Sequence, residues 1–420
     1  MTMSLPSLVR SAALSGPAAD AAASPRWPAG APAAARTVLR VLQSVQRGTL
    51  DLQWPDGTHS RVGHGGEPRA SIVVHDDALF GAVLASGDIG FAESFIAGHW
   101  QTDDLPGLLR FMLVNRAAVE PLIFGGWWGG LLHRWQHWRR RNSRAGSRRN
   151  IHAHYDLGNA FYRLWLDETM NYSSAWFDGD LSRPLAQAQH AKVERALAEA
   201  GVVPGSRVLE IGCGWGAVAE AAARRGAHLT GVTLSTEQLA WARERLACQG
   251  LAGQADLRLQ DYRDIDDAPF DALVSIEMFE AVGRAYWPTY FRTVASRLKP
   301  GGRACIQSIT IRDDLFDRYV RSTDFIQQYI FPGGLLPSDR EFRRAAARAG
   351  LVVERAFAFG PDYAETLRRW RADFLARVEP VRRLGFDPAF VRTWDFYLAY
   401  CEAAFDTGDT NVVQYTLRRP

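Results

Sequence analysis

The chain is sparing with cysteine, with net charge and with long apolar runs, and each shortage excludes a class of protein. Four cysteines, Cys213, Cys248, Cys305 and Cys401, are scattered through 420 residues. With no Cys-x-x-Cys pair and no histidine at zinc spacing, neither a disulfide framework nor a metal site is expected. Free thiols in a reducing, cytoplasmic setting fit best. The net charge of +3 does not point to nucleic acid. No apolar run reaches the roughly 20 residues of a membrane span. The N-terminus lacks the continuous apolar core of a signal peptide, and there is no internal repeat. What is present, 47% hydrophobic and 23% charged residues, is the balance of an ordinary globular protein. The length allows two domains, or one large domain with an extension.

Residues 1–35, rich in Ala, Pro and Ser, read as a disordered tail. Residues 36–120 read as a small α+β unit, with strands over 48–54 and 70–74, a turn at Asp56-Gly57, and helices over 78–86 and 105–119. Residues 121–150 differ. Trp127, Trp128, Trp135 and Trp138 lie beside Arg139, Arg140, Arg141, Arg144, Arg148 and Arg149. That composition suits a membrane-interface element facing anionic lipid, and equally a basic linker whose tryptophans pack on a neighbouring domain. In residues 151–420, strands (208–211, 229–234, 256–259, 272–276, 303–311) alternate with helices (186–200, 216–225, 236–249, 287–298, 338–350). The alternation predicts a mostly parallel sheet covered by helices on both faces, completed by strands at 352–358 and 412–417.

The most informative stretch is Arg207-Val-Leu-Glu-Ile-Gly-Cys-Gly-Trp-Gly216. A short apolar strand runs into Gly212, Gly214 and Gly216, and an Ala-rich helix follows. Doubly wound sheets use this order to hold a nucleotide-like ligand, because the backbone must turn tightly and approach it without a Cβ in the way. The spacing Gly-x-Gly-x-Gly, with Glu210 before it, is not the dinucleotide fingerprint. It resembles motif I of S-adenosylmethionine-dependent methyltransferases. The second strand ends in Thr233, Ser235 and Gln238, which offer hydroxyl and amide groups to ribose. Ser235 also reads as a helix N-cap. Gln260, Asp261 and Tyr262 follow the third strand, where an acid accepts the adenine amino group or merely shapes a turn.

From His154 onward the chain resembles the cyclopropane-fatty-acyl-phospholipid synthase family, with its mycolic-acid and fatty-acid C-methyltransferases. The resemblance rests on His154-Tyr-Asp-Leu-Gly-Asn159, Tyr172-Ser-Ser-Ala-Trp-Phe177, Gly212-Cys-Gly-Trp-Gly216 and Gly231-Val-Thr-Leu-Ser235. It continues through Gln260-Asp-Tyr-Arg-Asp264, Met278-Phe-Glu-Ala-Val-Gly283, Tyr329-Ile-Phe-Pro-Gly-Gly334, Phe359-Gly-Pro-Asp-Tyr363 and residues 397–405. It implies an α/β fold, a Rossmann-like class I methyltransferase with a mostly parallel seven-stranded sheet and a small α+β N-terminal domain that engages lipid. It further implies S-adenosylmethionine as methyl donor, contacts to it from Tyr172, Ser173 and Trp215 in addition to the residues above, and a lipid substrate. The partners it implies are unsaturated membrane phospholipid and the inner face of the membrane, with a homodimer by analogy and no nucleic acid.

In that family, methyl transfer to an acyl-chain alkene gives a carbocation. Loss of a proton from the new methyl then closes a cyclopropane. Such a cation needs an apolar, water-excluding pocket and one base. The resemblance implies bound bicarbonate as that base, held by Glu280, Tyr363 and Cys401. Taken one at a time, Glu280 could cap a helix, Tyr363 could be a packed aromatic and Cys401 a core thiol. Ser174 and Gln307 depart from the bacterial pattern of cysteine and histidine, and glutamine cannot titrate. The departures leave three outcomes: a cyclopropane, a methyl-branched or methylene product, or a catalytically lapsed lipid-binding homologue.

Overall fold

A computed structural model describes residue 28 and residues 30–123 and 157–420. Residues 1–27 of the expected tail, most of the Trp/Arg segment, His154 and Tyr155 lie outside the described residues.

The N-terminal unit is a four-stranded sheet in the order β2-β1-β3-β4, formed by β1 (Gly48–Gln53), β2 (His59–Gly65), β3 (Arg69–Val74) and β4 (Trp100–Gln101). Gly57, at φ +82°, turns β1 into β2, a backbone conformation that glycine adopts without strain. The first helix, Ala33–Leu42, begins inside the stretch expected as tail, because Ala35, Val38, Leu39 and Leu42 form a buried stripe. The helix expected over 105–119 is broken in two, Leu105–Val114 and Arg116–Ile123. Asn115 sits between them and bonds the backbone at Gln46, Arg47 and Phe111. The helix expected over 78–86 runs on to Ala97 through a kink at Gly87. It is long and apolar enough to cross a membrane, yet half of it is buried inside the protein.

The larger sheet has seven strands in the order β10-β11-β9-β8-β5-β6-β7. They are β5 (Arg207–Ile211), β6 (His228–Thr233), β7 (Ala255–Leu259), β8 (Phe270–Ile276), β9 (Leu298–Ile311), β10 (Val352–Ala358) and β11 (Thr410–Arg418). β5 to β9 are parallel, and β11 runs antiparallel to both its neighbours. Side chains alternate between faces along each strand. Leu209, Ile211 and Leu273 therefore join one core with Phe291, Phe342 and Tyr415. Val208, Ala272, Val274 and Cys305 join the other with Leu197, Leu239 and Leu246. The order of the sheet reverses at the β5–β8 pair, the switch point where such sheets bind ligands.

The long Pro388–Asp406 helix joins the two units. Phe396 packs on Phe91 and Phe95 of the kinked helix at 6.3 and 5.7 Å. Arg110 pairs with Asp406 at 2.9 Å, and Arg116 with Asp409 at 2.5 Å.

Candidate active site

β5 is buried along its length after Arg207 and opens into a turn in which Gly212, Gly214 and Gly216 all have positive φ. The Gly212 and Cys213 amides donate to the Val232 carbonyl at 2.9 and 3.0 Å, pinning the turn to β6. A Cβ on Gly212 would meet Met278 Cγ at 2.9 Å, and one on Gly216 would meet Ala242 Cβ at 2.9 Å, whereas one on Gly214 would face open space. Glu210 is buried, and its Oε2 has no hydrogen-bond partner. Burial pushes its carboxyl up to about 8. A turn without Cβ atoms beside an unsatisfied buried acid fits the amino-acid end of S-adenosylmethionine.

The other residues expected around that ligand already have partners within the protein. Thr233 donates to Gln238 Oε1 and accepts from the Ser235 amide, both at 3.2 Å. Ser235 caps the Thr236–Cys248 helix, as the sequence suggested. Gln260 donates to the Asp264 carbonyl at 2.8 Å. Asp261 is held by Arg263 through its backbone amide, Nε and Nη2 at 3.0, 2.8 and 2.5 Å, so the acid expected to face adenine also shapes the turn. Tyr262 packs edge-on against Tyr290. Ser173 accepts from Lys192 Nζ at 2.5 Å, and Trp215 donates to Asn159 Oδ1 at 2.7 Å.

An aromatic wall stands beside this turn. Tyr172 lies 5.4 Å from Tyr162, 5.6 Å from Trp165 and 5.5 Å from Trp370, ring to ring. Its hydroxyl shares a 2.7 Å hydrogen bond with Tyr397. Tyr363 packs edge-on against Trp370 at 6.2 Å, which carries the wall to the carboxyl end of β8.

There the structure departs from expectation. The polar groups assigned to a bicarbonate close on the carboxylate of Glu277. Its Oε1 accepts from the Ser174 amide at 2.8 Å and from Gln307 Nε2 at 2.7 Å. Its Oε2 accepts from the Tyr363 hydroxyl at 2.8 Å. Gln307 is aimed by Gln414, whose Nε2 donates to its Oε1 at 3.0 Å. The Ser174 hydroxyl was expected to serve the anion, but donates to the Ala175 carbonyl at 2.9 Å. Bicarbonate does not fit this arrangement, because the Tyr363 and Gln307 donors expected to hold it are engaged by the Glu277 carboxylate and the Ser174 hydroxyl by a backbone carbonyl.

Glu280 does not join them. It accepts from Ser308 Oγ at 3.0 Å and from the Ile309 amide, while its Oε2 is buried without a partner. Burial, then the charge of Glu277, push its carboxyl up to about 8. Cys401 is half-buried on the Pro388–Asp406 helix. Burial, then Asp324, push its thiol up, so it is no thiolate nucleophile.

Sequence reasoning missed Glu277 and Lys192. The matched motif began at Met278, one residue too late, although an acid at the carboxyl end of a central strand is itself a signal. Lys192 is fully buried in the Leu185–Glu199 helix. Burial lowers its amine to about 8, and Glu277 and Asp167 hold it from falling further. A lysine amid helical Ala and Val gave no sign in the sequence that it points inward.

A sequence profile described as mycolic acid cyclopropane synthetase matches residues 142–415. Tuberculostearic acid methyltransferase UfaA1 of Mycobacterium tuberculosis is 40% identical over 415 residues, covering 94% of this chain and 93% of that protein. The cyclopropane-fatty-acyl-phospholipid synthase of Escherichia coli is 36% identical over 368 residues, covering 84% and 89%. Among solved structures, mycolic acid cyclopropane synthase CmaA1 complexed with SAH and CTAB is similar at a TM-score of 0.60 and 31% identity, covering 64% of this chain and 97% of that one.

Proposed function

This chain belongs to the mycolic acid cyclopropane synthetase family of S-adenosylmethionine-dependent enzymes, and from that premise we propose that it adds a one-carbon unit to the cis double bond of unsaturated phospholipid acyl chains, closing a cyclopropane. The observation that carries this reading is a bonded carboxylate, Glu277, set between the glycine turn and an aromatic wall. Met278, the residue after Glu277, touches the turn at Gly212.

S-adenosylmethionine, when bound, supplies an electrophilic sulfonium methyl. The protein's part is to hold the acyl alkene against it and to keep water from the cation that forms on the chain. Tyr172, Trp370 and Tyr397 present ring faces and edges, whose quadrupoles favour a nearby cation and offer no strong nucleophile. Gly212, Gly214, Gly216 and Glu210 would hold the donor, with Thr233, Ser235 and Gln238 towards its ribose. The substrate sits in a bilayer, so the enzyme works at the inner face of the membrane as a peripheral protein, and the Trp/Arg segment is the element suited to reach lipid.

A second reading, a fatty-acyl C-methyltransferase giving methyl-branched or methylene chains, is favoured by the 40% identity to UfaA1 along nearly the whole chain. Lipid analysis of a bacterium expressing this protein, by gas chromatography–mass spectrometry against an empty-vector control, separates the two. A new peak one CH2 heavier than the host's monounsaturated chains, and resistant to hydrogenation of double bonds, is expected. A branched or still-unsaturated product moves the answer to the second reading, and no new peak overturns both.

A further inference from the structure

We propose that Glu277 is the resident base of the reaction, a carboxylate built into the chain at the place where a bound bicarbonate was expected. The inference rests on the proposed lipid chemistry and names the group that takes the proton.

Three donors from three separate parts of the chain meet on this one side chain: the Ser174 amide, Gln307 Nε2 and the Tyr363 hydroxyl. A hydroxyl and an amide that donate to the same carboxylate orient its remaining lone pairs. Gln307 is itself fixed by Gln414, which donates in turn to the Lys192 carbonyl at 3.2 Å. The backbone gives an independent indication. Glu277 has φ +48°, one of three residues other than glycine with positive φ among the described residues. Glycine suits that conformation and glutamate is strained in it. A strained glutamate with both carboxylate oxygens bonded is the signature of a side chain kept for its chemistry.

The other groups at the site are poor candidates. Gln307 has no titratable proton, and Tyr363 is committed as a donor. Glu280, beside the charge of Glu277, is held in its neutral form, as one of two neighbouring carboxyls must be. Burial pushes the Glu277 carboxyl up, and the Lys192 charge is the strongest influence opposing that push. Glu277 as a residue is half-buried at the end of a central strand.

The step balances within the chain. A C–H bond of the newly added methyl breaks, and its proton goes to a Glu277 oxygen. The electron pair of that bond forms the third bond of the ring at the cationic carbon. Glu277 is left as a neutral acid and returns its proton to solvent once the product departs.

The test uses the purified full-length protein, S-adenosylmethionine and vesicles of monounsaturated phosphatidylethanolamine and phosphatidylglycerol, in buffer stripped of carbon dioxide. The unchanged protein should turn over at the same rate with and without added bicarbonate. Glu277→Gly, which relieves the backbone, should lose at least about 100-fold and recover much of it with bicarbonate, in keeping with the ~10²–10⁴-fold worth of a positioned base. Glu277→Gln fills the same space with an amide and should lose activity without rescue. A tenfold loss by the unchanged protein in carbon dioxide-free buffer, or near-full activity of Glu277→Gln, overturns the proposal. Binding of ¹³C-bicarbonate by NMR is read without turnover. Saturable binding is expected for Glu277→Gly alone, and binding by the unchanged protein overturns the proposal. Absence of any lipid product would sink the functional reading, while the ¹³C result would still decide the nature of the anion site.

Discussion

The Tyr363 hydroxyl donates to Glu277 Oε2 at 2.8 Å, and that bond ties the first turn of the Gly360–Ala376 helix to the carboxyl end of β8. Tyr363→Phe keeps the ring contacts and removes only this donor. A hydrogen bond to a charged group contributes about 1.5–3 kcal/mol, so the melting temperature should fall modestly. The phenol also holds the Glu277 carboxyl down against the upward push of burial. The acid limb of the pH–rate profile should therefore move to higher pH in Tyr363→Phe. An unmoved limb would mean that the bond has no hold on the base.

Lys192 should act on the same limb more strongly. Its charge is the largest of the influences that lower the Glu277 carboxyl. In Lys192→Met the cation is gone, the carboxylate is disfavoured, and the acid limb should rise further than in Tyr363→Phe. Initial rates across a pH series give the comparison.

Gly214 separates binding from folding. Its φ is +48°, and an added Cβ would meet nothing within the protein. Gly214→Ala should fold, at a backbone cost of about 1–2 kcal/mol, and lose S-adenosylmethionine affinity by at least about tenfold, or ~1.4 kcal/mol. Gly350, at φ +80° and equally open, is the control. Gly350→Ala should melt lower but bind normally by calorimetry.

Glu210 makes a pH-dependent contribution to stability. Its carboxyl lies at about 8 when folded, against 4.5 for the ordinary group. Between those values the folded state holds a proton that the unfolded state has released. Stability from this residue is therefore full below about pH 4.5 and is lost as pH rises towards 8. Glu210→Gln should raise the melting temperature relative to the unchanged protein at pH 8, and the gap should close at pH 5. Parallel melting curves for the two proteins across that range would contradict the assignment.

Trp127 and Trp128, outside the described residues, carry a prediction from sequence alone. Replacing both with alanine should weaken sedimentation with anionic vesicles and lower activity on vesicles more than on dispersed lipid. Unchanged sedimentation would make the segment an ordinary linker.

Much of the catalytic sheet was legible because its strands are short apolar runs between turn signals, and burial on both faces demands that pattern. β2 was not. His59-Ser-Arg-Val-Gly-His-Gly65 buries only Ser60 and Val62, and becomes a strand because β1 pairs with it across the Asp56-Gly57 turn. The Gly360–Ala376 helix was seen only as a motif at its start. Pro361 sits in its first turn, which accepts proline because the amides there have no helical partner. The helix expected over 78–86 continues to Ala97, since Gly87 bends it without ending it.

By itself the sequence determined the alternation of strand and helix, the glycine turn after β5 and the family, because each is a local pattern or an ordered series of them. It also named Ser174, Gln307 and Tyr363 as polar groups of one site. What they bond to was decided by the tertiary structure alone. Ser174, Glu277, Gln307 and Tyr363 come from a loop, two strand regions and a helix as much as 189 residues apart, from Ser174 to Tyr363. Hydrogen bonds act over about 3 Å, and no spacing along the chain reveals which side chain fills the point where distant donors meet.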